Sequence, residues 1–317
     1  LVGSEMCIRD RFNNVEIFVL ANGDDVFDST QVSGAIGVVV YLYGGVDTVD
    51  TGMGADVVYD FGPYGAGGDD VHLGGGNDEL YAGDNLNQND TYAGGDGADA
   101  IWYNTQAPAG LVFNIKDDVV AGQPLLEGTI TGADNGTDTV TGFEYYLGGR
   151  GNDSMDFSGI TSTPLVLAGN DGDDVIKGST VADIINASGT YGGGKDTISA
   201  GAGDDMLWAG SERNYSGALV ASDDTFDGGA GFDILYYHSG GTIYTGGTAS
   251  TQSITLKIYQ DSTKTYGTAV GADIGTDSFT SFEQYSGGNA NDTIIIDNTV
   301  TNAFLGPCLL YTSPSPR

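Results

Sequence analysis

Residues 52–60 read GMGADVVYD, 65–73 GAGGDDVHL, 74–82 GGGNDELYA and 95–103 GDGADAIWY. Laid over one another they give G-x-G-x-D-x-U, where U is apolar. The Asp of this pattern recurs at Asp25, Asp47, Asp56, Asp69, Asp78, Asp90, Asp99, Asp153, Asp174, Asp183, Asp196, Asp205, Asp224, Asp233 and Asp292. Two residues after every one of them stands an apolar side chain, from Phe27 and Val49 through Ile176 and Leu207 to Ile294. Only 39% of the chain is hydrophobic, so the phase is not accidental.

The spacing sets the architecture. Asp47 and Asp56, Asp69 and Asp78, Asp90 and Asp99, Asp174 and Asp183, Asp196 and Asp205, and Asp224 and Asp233 stand one nonapeptide apart. Taking every second Asp gives two interleaved series with a longer, nearly constant step. Self-similarity of this kind is the mark of a solenoid. Two nonapeptides make one coil with a turn on each side, and here one side carries a few extra loop residues. The expected fold is all-β: parallel β-roll blocks of nonapeptide repeats separated by β-rich spacers. Gly, Asp, Thr and Asn are poor helix formers, which argues the same way.

A larger period lies above the nonapeptide. Residues 133–153, ADNGTDTVTGFEYYLGGRGND, match 272–292, ADIGTDSFTSFEQYSGGNAND. Repeat blocks are expected at 12–101, 148–235 and, as the start of a third, 287–306. Spacers fill 102–147 and 236–286, where LVFNI (111–115) and ITLKIY (254–259) read as ordinary strands. Residues 1–11 and 307–317 do not belong. CLLYTS is encoded by TGT CTC TTA TAC ACA TCT, which looks like a transposase sequencing adapter, and its complement encodes EMCIRD. Both ends are read as adapter translations and excluded from fold reasoning. The natural segment then runs from about Phe12 to Gly306 with both true termini missing. Cys7 and Cys308, the two cysteines of the chain, sit in those ends, which excludes a disulfide framework and thiolate metal sites.

The chain carries 44 acidic against 10 basic residues, a net charge of −34. Such a charge repels nucleic acid and anionic lipid, so neither nucleic-acid binding nor membrane insertion is expected. Metal cations are the natural counter-charge. Calcium takes six to eight oxygens from carboxylates and carbonyls. Glycines two and four residues before the Asp permit a turn at positive φ that aims carbonyls inward. The short Asp stays near its own turn, and U starts a strand facing the core. Stacked coils lie about 4.8 Å apart, where same-side carboxylates repel by roughly 1–3 kcal/mol per pair. A shared cation would turn that repulsion into coordination, making metal binding and folding one equilibrium.

GGDGADAIW (94–102), GGRGNDSMD (148–156) and GGAGFDILY (228–236) resemble the nonapeptide of RTX, or haemolysin-type, calcium-binding repeat proteins. The GTD…FE…GG…ND segments resemble the linkers between such blocks. The resemblance implies a parallel β-roll, type I secretion, an extracellular or cell-surface location and several Ca²⁺ ions as cofactor. It further implies ions shared by Asp carboxylates and turn carbonyls of successive same-side coils. Candidate ligands are Asp25, Asp47, Asp56, Asp69, Asp78, Asp99, Asp153, Asp174, Asp196, Asp205, Asp233 and Asp292. They are joined by Gly65, Gly67, Gly74, Gly76, Gly95, Gly97, Gly149, Gly151, Gly192, Gly194, Gly201, Gly203, Gly229 and Gly231. Both glycines are replaced before Asp90 (Leu86, Gln88), Asp183 (Ser179, Val181) and Asp224 (Val220, Ser222), so those turns are expected to be metal-free.

His72 and His238 have no carboxylate–His metal motif and read as structural or exposed. Trp102, Trp208, Tyr103, Tyr236 and Tyr237 read as solenoid packing in preference to a glycan-stacking face. No HExxH, G-x-S-x-G, P-loop or cysteine nucleophile is present, and the segment reads as non-catalytic. The expected function is a Ca²⁺-binding structural repeat region of a secreted or surface adhesin or toxin. The full-length protein would then meet glycans or a host or biofilm surface. The alternative is an accessory module of a secreted enzyme acting on polysaccharide, protein or lipid.

Overall fold

The computed structural model describes residues 17–32, 36–61, 67–83, 88–103, 109–120, 123–133, 135–187, 193–213, 219–238, 250–297, 300 and 304–305. No helix occurs among them. Residues 1–11 and 307–317 and candidate ligands Gly65 and Gly192 lie outside the described residues. Two compact units divide at Arg150 and Gly151.

In the first unit each coil contributes one short strand to each of two sheets. One sheet stacks Ile17–Val19, Val39–Leu42, Val57–Phe61, Glu79–Gly83, Ala100–Tyr103 and Tyr145–Leu147, all parallel. The other stacks Val26–Asp28, Thr48–Asp50, Asp70–His72 and Thr91–Ala93, also parallel. The inward positions are the U residues. Val49, Val58, Val71, Leu80, Tyr92 and Ile101 are all fully buried, and strand alternation places their neighbours outside.

The spacer does not leave the roll. Gly136–Thr141 pairs parallel to Thr91–Ala93, extending the second sheet by one strand. From there the pattern turns antiparallel, with Gly136–Thr141 against Gln123–Gly132 and that strand against Leu111–Val120. Fewer glycines and alternating apolar residues let these longer strands pack as an ordinary meander. Phe113, Leu126, Ile130, Val140 and Phe143 form its buried face.

The second unit repeats the plan. Val166–Ala168, Ile184–Asn186, Met206–Trp208, Ile234–Tyr236, Gln284–Ser286 and Phe304–Leu305 stack in parallel. Ser154–Asp156, Val175–Lys177, Thr197–Ser199, Thr225–Asp227 and Gly275–Thr280 make the opposite sheet. Thr265–Gly271 and Thr255–Gln260 follow antiparallel, and Thr293–Ile296 resumes parallel pairing.

Candidate metal centre

Each repeat Asp sits just before its strand, so parallel register brings the Asp of successive coils over one another. The contact between them is directional. Along the second sheet of the first unit, the Asp25 amide donates to Asp47 Oδ1 at 2.9 Å, Asp47 to Asp69 at 2.7 Å, and Asp69 to Asp90 at 2.8 Å. Along the first sheet, Val38 donates to Asp56 and Asp56 to Asp78, both at 2.7 Å, and Asp78 to Asp99 at 2.9 Å. The second unit has the same two ladders, Asp153–Asp174–Asp196–Asp224 and Leu165–Asp183–Asp205–Asp233, with distances from 2.7 to 3.0 Å. Asp292 accepts from Ile254 at 3.0 Å. The carboxylates are therefore in register, and the amide of each coil satisfies one oxygen of the next.

The other oxygen is left over. Oδ2 of Asp47, Asp78, Asp99, Asp174, Asp205, Asp233 and Asp292 is buried with no hydrogen-bond partner. A buried, unpaired carboxylate oxygen is costly. Burial is the largest influence on these groups. It pushes Asp47, Asp99 and Asp205 up to about 6 and Asp78 and Asp233 to about 7 from an ordinary 3.8, against the lowering effect of the donated amides. Asp174 and Asp196 are pushed higher by burial and then by neighbouring aspartates. The ladders are short of positive charge.

The turns supply more oxygens. Gly76 and Gly97 hold φ at 151° and 157°. A Cβ on either would run into the carbonyl oxygen of the glycine one coil earlier, Gly54 or Gly76. Peptide carbonyls thus form a column that only glycine can line. Gly74, Gly95, Gly201, Gly203, Gly229 and Gly231 also take positive φ, as the repeat predicts. Gly149, Gly151 and Gly194 are not among the glycines at positive φ. At Gly67 and Gly194 the demand is for space, since a Cβ would meet the carbonyls of Gly45 and Gly172. Gly45 and Gly172 themselves take positive φ, although each has only one glycine of the pair.

Orphaned carboxylate oxygens and stacked turn carbonyls are both hard oxygen donors, the kind that suits calcium. The RTX calcium-binding nonapeptide repeat matches the chain in four copies, over 38–58, 166–189, 191–215 and 221–240. The chain carries RTX calcium-binding repeats. Among curated proteins none matches it. Residues 67–83 and 88–103 fall outside the four RTX matches yet hold the same ladders, with Asp78 and Asp99 among the orphaned carboxylates.

At two of the turns where both glycines are replaced, those of Asp183 and Asp90, groups of the chain itself reach the carboxylate. Asp183 takes the Ser179 amide at 2.6 Å on Oδ2 and the Ser179 hydroxyl at 3.0 Å on Oδ1. The Tyr92 hydroxyl stands 3.1 Å from Asp90 Oδ2 and 2.6 Å from Asp60 Oδ2. Carboxylate oxygens of Asp60, Asp69 and Asp90 all lie within 4.8 Å of one another. Asp60 comes from the opposite sheet and was missed by the repeat pattern, because it stands at an inward position normally apolar. The second unit has Ala187 and Phe226 at the equivalents of Asp60 and Tyr92.

Also missed were the residues that close each ladder. The Asp90 amide reaches Asp138 Oδ1 at 3.1 Å, and the Asp99 amide reaches Glu144 Oε2 at 3.0 Å. In the second unit Asp224 reaches Asp277 at 3.2 Å and Asp233 reaches Glu283 at 2.9 Å. These four acids are the Asp and Glu of the duplicated GTD…FE segments. Their recurrence in both copies was the signal that could have found them.

Tyr41, Tyr59, Tyr81 and Trp102 stack face to face along the first sheet, with centroids 4.6, 4.8 and 5.4 Å apart. Trp208 stacks on Tyr236 at 5.5 Å, while Tyr103 and Tyr237 are buried. His72 is exposed between Asp50 and Asp70, and His238 packs edge-on against Tyr236.

Proposed function

We propose that this RTX region is a calcium-stabilised structural segment of a secreted or cell-surface protein of adhesin or toxin type, whose rolls fold as they bind the ion. Each ion lies between successive same-side turns. It takes the second carboxylate oxygen of the ladder aspartates together with glycine carbonyls. The observation that carries this reading is the set of orphaned oxygens on Asp47, Asp78, Asp99, Asp174, Asp205, Asp233 and Asp292. Candidates Asp25 and Asp56 are poorer ligands, because their Oδ2 already accepts the Ala21 or Gly52 amide. Binding free energy becomes folding free energy in such a system.

A scaffold role fits a chain whose carboxylates are accounted for by the period of the fold. Circular dichroism and calorimetry with millimolar Ca²⁺ and with EDTA test the proposal. A weaker β signal and a lower melting point in EDTA are expected, with recovery on adding Ca²⁺. An unchanged spectrum and melting point would refute it.

A further inference from the structure

The ladders change character where they enter the spacers. Asp138 accepts the Asp90 amide on Oδ1 like any other rung. Its Oδ2 is not orphaned, since the Tyr103 hydroxyl donates to it at 2.8 Å. In the second unit the Tyr237 hydroxyl donates to Asp277 Oδ2 at 2.9 Å, and Oδ1 takes the Asp224 amide. All four side chains are at most 1% exposed. Thus the same arrangement is built twice, with every oxygen of the closing carboxylate satisfied by the chain itself. The contrast is with Asp78 or Asp205, where the second oxygen has nothing.

We propose that Tyr103 and Tyr237 are positioning residues that take the place of a cation at the last rung, so that spacers 111–141 and 255–280 hold their fold without calcium. The inference rests on the calcium reading of the other rungs. It is supported by what each spacer brings of its own. Leu111–Val120 and Gln123–Gly132 pair over ten residues, and Tyr103 meets Phe113 edge-on at 6.0 Å. In the other spacer Ile254, Leu256, Ile258, Phe279 and Phe282 are buried. A phenol is a neutral donor that fits this apolar setting. It gives the carboxylate a partner without requiring the other turn oxygens that a calcium ion needs. Each repeat block would then run into an element that stays folded when the ion is withdrawn.

Hydrogen exchange on the whole chain, read by mass spectrometry in millimolar Ca²⁺ and in EDTA, tests this. In the unaltered protein 111–133 and 255–280 should stay protected in EDTA while 38–58 and 166–187 lose protection. Tyr103→Phe keeps the ring and removes only the hydroxyl. It should make protection of 111–133 depend on calcium, with exchange about tenfold faster or more in EDTA and little changed in Ca²⁺. The spacer at 255–280 serves as the internal control. A mere packing role would raise exchange alike in both conditions. Tyr237→Phe should give the mirror result. Asp138→Asn, whose Oδ1 can still take the Asp90 amide and whose amide group can pair with the phenol oxygen, should stay protected in EDTA. It carries the test if Tyr103→Phe does not fold. Spacers that open together with the repeats in EDTA, or a Tyr103→Phe protein indistinguishable from the parent, would overturn the inference. Repeats indifferent to EDTA would instead refute the calcium reading, a different result.

Discussion

At the scale of single residues, Asp78 shows the roles a ladder Asp divides among its atoms. Its amide donates to the next coil, its Oδ1 accepts from the coil before, and its Oδ2 is buried without a partner. Replacing Asp78 separates these roles. Asp78→Ala leaves the Asp56 amide without its acceptor and should cost about 1–3 kcal/mol even in EDTA. Asp78→Asn keeps an acceptor oxygen but removes the charge. It should weaken calcium binding in an isothermal titration while leaving the metal-free melt unchanged or higher, because a buried charge has gone. Glycine offers an equally sharp contrast. Gly97→Ala places a Cβ against the Gly76 carbonyl at φ 157° and should destabilise by about 1–3 kcal/mol or more. At Gly159 an added methyl would meet nothing within 4 Å, and φ is not positive. Alanine there should be accepted within about 0.5 kcal/mol. Equal melting points for the two variants would refute the close-stacking account.

The ladder is the unit at which pH acts. Asp47, Asp78, Asp99, Asp205 and Asp233 are held near 6 to 7 in the metal-free fold, chiefly by burial, against 3.8 ordinarily. The folded state therefore binds protons more tightly than the unfolded chain. That stabilisation is complete below about 3.8 and is lost as pH rises through 6 to 7. The metal-free melting temperature should climb when pH falls from about 8 to about 5, while the calcium concentration at half-saturation rises as protons compete. A metal-free melt that fell over this interval would contradict the assignment. The repeat elements were legible in the sequence, because Asp and U recur at fixed spacing and the parallel roll follows. The ladder ends were not. Asp138 and Glu144 act on Asp90 and Asp99 across 48 and 45 residues, and no local period announces such a contact. Asp60 was hidden for another reason, a polar side chain in a phase that the repeat reserves for the core.

For the molecule as a whole, the net charge of −34 opposes compaction. Two kinds of cation should act differently upon it. Monovalent salt screens exposed charge over a Debye length of about 8 Å at physiological strength, but cannot bridge buried rungs. In EDTA, sodium chloride should shrink the radius of gyration measured by X-ray scattering only in part, and calcium at far lower concentration should complete the change. Full compaction by sodium alone would mean that general screening, not coordination, governs the fold. No helix among the described residues is long and apolar enough to cross a membrane.

Because a ladder Asp carries both the amide and the carboxylate that join it to its neighbours, the Asp-to-Asp joints of a ladder are interchangeable. A duplicated stretch of gene encoding one coil would bring its own plug and its own socket, fitting both neighbours with no accompanying change. Such a molecule can lengthen or shorten through simple copying errors, provided that a closing pair such as Asp138 and Glu144 remains at the end of the run.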